Sequence, residues 1–146
     1  MGNLILPYCR AVIFVFPFMK QVVRLLLEHG ASANAMASNT VRPIHLAASA
    51  YKGAAMMKTL LQYGAEVDAE ISEGGGNALT IALSARRREQ ALLLLEAGAD
   101  PLYAPSIPNA PLVAAARAGF HDVLQLMIEV RSYSLAVLST DTEIVT

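Results

Sequence analysis

Residues 91–100 read ALLLLEAGAD, a leucine run closed by Gly98 and Ala99. The same ending occurs twice upstream, as VVRLLLEHGA in residues 22–31 and KTLLQYGA in residues 58–65. Gly30, Gly64 and Gly98 follow one another at intervals of 34 positions. A fixed period of this length marks one supersecondary unit used repeatedly. Leucines at i, i+3 and i+4 give each segment a helix with one apolar stripe. A glycine directly after the stripe predicts a left-handed cap that stops the helix.

A second series lies between these endings: PIHLAA at 43–48, NALTIAL at 77–83 and APLVAAA at 110–116. Each follows a polar or Gly/Pro loop and opens a short helix. Ala47, Ala48, Ala82, Ala115 and Ala116 keep that helix narrow, so a neighbouring copy can approach closely. The unit is therefore loop, short helix, turn, long helix, glycine. One such unit cannot seal its own apolar face, and the core must come from stacking on the next.

This pattern resembles the ankyrin repeat, with its Thr-Pro-Leu-His opening and Gly-Ala-Asp ending. The second unit carries most of the likeness, at residues 43–48 and 60–65, the third at residues 92–100, and the fourth at Pro111, Leu112, Arg117, Gly119, Asp122 and Val123. Gly76-Asn77-Ala78-Leu79 is similar to an opening found in large fungal ankyrin arrays. Tetratricopeptide repeats share the period but lack these motifs and the long polar finger between units. The resemblance implies an all-α fold, an ankyrin-repeat solenoid of stacked helix-turn-helix units with irregular ends. The expected layout is an apolar segment at 1–20, a half repeat at 21–38, repeats at 39–72, 73–105 and 106–131, and a polar, loosely held tail at 132–146.

The chain also departs from the family pattern. The opening Thr is replaced by Arg42, Asn77 and Ala110, and only His45 keeps the motif histidine, against Thr80 and Val113. Fewer local hydrogen bonds at the helix starts are expected. The second unit holds an extra residue around Tyr51 and Lys52, and the loop before Asn77 is lengthened by glycines. Arg86 stands where the family places glycine between its helices, which predicts strain in that turn. Phe14 and Val15 fall where small alanines belong, Pro17 breaks the next turn, and Arg131-Ser132 replaces Gly-Ala in the fourth unit.

The composition restricts function. Eleven Lys and Arg face 12 Asp and Glu, so no general grip on nucleic acid is expected. A single cysteine, Cys9, rules out an intrachain disulfide, and a reducing intracellular, cytoplasmic setting is expected. Hydrophobic residues make up 55% of the chain and the mean hydropathy is +0.44, which points to an Ala- and Leu-rich helical core or to an apolar surface that needs a partner. The apolar stretch at residues 4–18 is shorter than the roughly 20 residues a membrane-spanning helix needs. It reads as an improvised cap, as sequence foreign to the repeat in a piece of a longer array, or as a membrane contact for an adaptor.

No catalytic, cofactor or metal site is expected. His29, His45 and His121 share no ligand spacing, and Gly74-Gly75-Gly76 lacks the Lys of a phosphate loop. His45 reads as a structural hydrogen-bonder, His29 as a favourable charge at a helix end, and His121 as solvated. The function implied by the resemblance is a monomeric, non-catalytic scaffold that binds a protein partner through finger loops and the concave inner-helix surface. The residues expected to bind are Asn39, Ser49, Tyr51, Lys52, Glu73, Arg86, Arg87, Tyr103 and Arg117. Tyr51 and Tyr103 are the aromatic candidates for anchors.

Overall fold

In the computed structural model the described residues are 19–37, 40–71, 76–103 and 110–140. Seven helices are described: α1 Met19–Glu28, α2 Pro43–Ser49, α3 Ala54–Gln62, α4 Ala78–Ser84, α5 Arg88–Glu96, α6 Pro111–Ala118 and α7 His121–Thr140. Each short helix packs on the long helix that follows it, α2 on α3, α4 on α5 and α6 on α7. The short helices also form a row, with α4 touching both α2 and α6, and the long helices a second row from α1 through α3 and α5 to α7. Helices of one kind therefore meet their own kind in the next unit, as a stepwise stack requires.

The residues that hold this stack repeat with it. Ala47, Ala82 and Ala115 each lie five positions past their N-cap and have no exposed surface. A methyl group there lets the short helices touch. Leu60, Leu94 and Met127 occupy matching places in α3, α5 and α7 and are sealed between the rows. Burying one such side chain contributes about 1.5–3 kcal/mol. Leu26, its counterpart in α1, is only half-buried, and Val22 and Leu25 beside it are exposed.

The expected glycine caps are present. Gly30, Gly64 and Gly98 have φ of +89°, +79° and +93°. In each, the glycine N–H donates to the carbonyl three residues back (Leu27, Leu61, Leu95) and the next alanine N–H to the carbonyl five back (Leu26, Leu60, Leu94). This paired arrangement occupies carbonyls that the end of a helix leaves unbonded. Arg131 takes the glycine's place in the fourth unit, and nothing stops the helix. The tail expected to be loose from residue 132 instead continues α7 to Thr140.

The expectation of sparse bonding at the helix starts needs correction at Asn77, while Arg42 offers α2 no side-chain cap and relies on the retained His45. Arg42 N–H donates to His45 Nδ1 at 3.0 Å, and Asn77 N–H donates to Thr80 Oγ1 at 3.0 Å while Thr80 N–H donates back to Asn77 Oδ1. Threonine replaces the imidazole in the local bond. It does not replace the second one, in which His45 Nε2 reaches Ala69 O at 2.7 Å and ties the unit to the next finger. Ala110 provides no side-chain cap for α6.

Candidate functional site

The helix rows have two edges of opposite character. At one edge lie the turns that join short to long helices, carrying Tyr51, Lys52, Arg86, Arg87 and Arg88, with Arg117 in the last turn of α6. At the other edge the fingers depart, carrying Glu66, Asp68, Glu70 and Asp100.

The finger edge is held by a repeated contact. Asn34 Nδ2 donates to Gly64 O at 2.9 Å, and its Oδ1 accepts from Glu66 N–H at 2.8 Å. One period later, Asp68 accepts from Asp100 N–H at 3.1 Å. Arg42 pairs with Glu66. The base of the second finger closes through an antiparallel bridge between Glu70 and Asn77. Tyr103 lies on this edge. Partial burial first, then a hydrogen bond to Glu70 and the negative charges of Glu70 and Asp68, push its phenol above the ordinary value.

The turn edge is braced from one unit to the next. Arg87 Nε donates to Ser49 O at 3.0 Å, and its guanidinium lies over the Tyr51 ring, 5.4 Å from the centroid. Gln90, buried at the start of α5, donates to Ala50 O at 2.8 Å. Gly53 carries no positive φ, but a Cβ there would meet Ala47 O at 2.0 Å, so only glycine lets the α2–α3 turn close over α2. In the next turn Arg86 has φ +57° and supplies the left-handed residue that Gly119 supplies at φ +76° one unit later. The strain expected there is present, at about 1–2 kcal/mol for a residue with a Cβ.

The nine expected binding residues thus separate. Ser49, Tyr51 and Arg87 meet across the first two turns, where Arg87 and Tyr51 serve the stack as well as the surface. Lys52 is exposed on the same turn. Arg86 and Arg117 line one shallow groove of about 140 Å³ with Leu83, Ser84, Ala114 and Ala118. Tyr103 sits at the opposite edge, and Asn39 and Glu73 lie outside the described residues, as does the apolar stretch at 4–18. Sequence reading missed Asn34, Gly53, Asp68 and Gln90. The recurrence of Asn34 and Asp68 at the 34-residue period was the available signal for the first pair. Gln90 and Gly53 carry no such mark.

A family model described as ankyrin repeats, in three copies, matches residues 13–104, well over half of the chain. The chain belongs to the ankyrin-repeat family. The match takes in Phe14, Val15 and Pro17, which the residue pattern set apart from the repeat. It ends before the α6–α7 pair, which continues the stack of this ankyrin chain. Ankyrin repeats are in general protein–protein interaction modules, and proteins built from them are typically non-catalytic scaffolds. Among the described residues, no group of three or more His, Cys, Asp and Glu is placed to hold a metal, and no helix is long and apolar enough to cross a membrane.

Proposed function

We propose that this ankyrin chain is a non-catalytic scaffold that docks a protein partner along the exposed edge of its short-helix row, with the fingers completing the surface. The observation that carries this reading is a column at one register. Ser49, Ser84 and Arg117 each lie seven positions past their N-cap, all three are exposed, and their helices are locked side by side by buried alanines. A surface fixed by its core loses little conformational freedom when a partner binds, which favours docking. The near-neutral charge favours protein over nucleic acid as the partner, and the lone Cys9 fits a reducing, intracellular setting.

The test is site-specific photo-crosslinking in extract of the source cell. A crosslinking residue at Ser49 or Ser84 is expected to trap a discrete partner, while one at exposed Lys58 on α3 does not. Equal trapping at Lys58, or none at the short-helix positions, would remove the support for this surface.

A further inference from the structure

The turn edge carries Lys52, Arg86, Arg87, Arg88 and Arg117, against carboxylates at Glu89 and Asp122 in the first turns of α5 and α7. Asp122 is already taken by Arg88. Arg87 is held by Ser49 O and the Tyr51 ring. Arg86 and Arg117 remain, both exposed, with no ion-pair partner among the described residues, on the rim of the groove between the ends of α4 and α6. The groove floor is made by Leu83, Ala114 and Ala118, with Ser84 as the neutral polar group.

Two features set this groove apart from a solvated charge run. Cations outnumber carboxylates on the turn edge, whereas on the finger edge Arg42 is paired with Glu66 and Asp68, Glu70 and Asp100 add further carboxylates, so an acidic partner is favoured at the turns. Further, Arg86 is held in a left-handed conformation that the equivalent Gly119 adopts without strain. A backbone cost kept at an exposed arginine with no ion-pair partner among the described residues points to a use outside the fold.

We propose that the Arg86–Arg117 groove is the specificity site of the docking surface, and that it takes an extended segment of a protein partner bearing closely spaced Asp or Glu side chains. Each guanidinium offers a planar fork that matches a carboxylate in a two-point bond. This assignment rests on the docking reading above and adds the chemistry of what docks.

The experiment pans a displayed library of random peptides on the full chain, and measures the recovered sequences by fluorescence anisotropy. Comparison is with the double variant Arg86→Gly/Arg117→Gln. Glycine relieves the strained turn, so the variant is expected to remain folded, which its circular dichroism and melting curve check directly. The proposal expects recovered peptides rich in Asp and Glu. Their affinity should fall about tenfold or more in the double variant and weaken with added salt. Recovery of neutral or basic peptides, or acidic ones bound equally by the variant, would overturn the acidic specificity. If such peptides lose binding when Ser49 and Lys52 are both changed to Glu, the docking surface itself still stands. If no peptide is recovered, both readings fall.

Discussion

Arg86 and Gly119 solve one problem with different residues. Both turn the chain between a short and a long helix with positive φ, +57° and +76°, and both close it with a bond to the carbonyl three residues back. For Arg86 the Cβ costs about 1–2 kcal/mol, and glycine would return about 0.5–1 kcal/mol of that through its freer unfolded chain. Arg86→Gly is therefore expected to raise stability in urea unfolding by a net amount of up to about 1.5 kcal/mol. A clear loss would show that the arginine side chain supports the fold. His45 is the residue at which pH enters. Burial foremost holds its imidazole below the ordinary value, although the bond to Ala69 opposes this and Arg42 adds to it. With Nδ1 accepting from Arg42 N–H, Nε2 must carry the proton given to Ala69 O, so the folded ring is neutral. The unfolded ring takes up a proton first. Stability is thus fully present above about pH 6.5 and declines as pH falls from there toward the lower folded value. His45→Gln should melt at a lower temperature than the parent at about pH 7.5, with the gap narrowing by about pH 5. A constant gap would contradict a buried neutral ring.

At the scale of the element, the stops were easier to read than the joins. Gly30, Gly64 and Gly98 announce helix ends because only a residue without a Cβ enters left-handed conformation freely, and all three do so. The missing glycine at Arg131 is equally visible, but its consequence is a longer helix and not a loose tail. Without the stop, α7 extends to Thr140 even through a Ser/Thr-rich stretch, because helix propensity differs little between ordinary residues. Gly53 was hidden for the opposite reason. Its φ is ordinary, and what demands glycine is a carbonyl of the preceding helix that no local pattern reveals. Gly53→Ala should cost about 1–3 kcal/mol, because the obstacle is backbone and cannot rotate away. Denaturant unfolding measures this, and an unchanged midpoint would mean that the α2–α3 turn has room to relax.

The molecule as a whole is two rows of helices in which every interior unit repeats the contacts of its neighbour. That much was legible in the sequence, because the 34-residue period fixes which residues are equivalent and equivalence fixes what packs on what. The candidate site was legible only in part. Turn residues such as Ser49, Lys52, Arg86 and Arg117 follow from the repeat, but a one-dimensional pattern cannot show that Arg87 turns back onto Tyr51 or that Tyr103 is engaged by Glu70 at the far edge. Stability in such a stack is a sum of unit and nearest-neighbour terms, so damage should remain local. Amide hydrogen exchange on the full chain and on Met127→Ala tests this most directly, since Met127 is sealed between α7 and the rest of the stack. The stacked arrangement predicts that the lost protection is concentrated in α6 and α7, fades through α5 and leaves α2 and α3 as they were. An equal loss in every helix would describe a single closed core and contradict it.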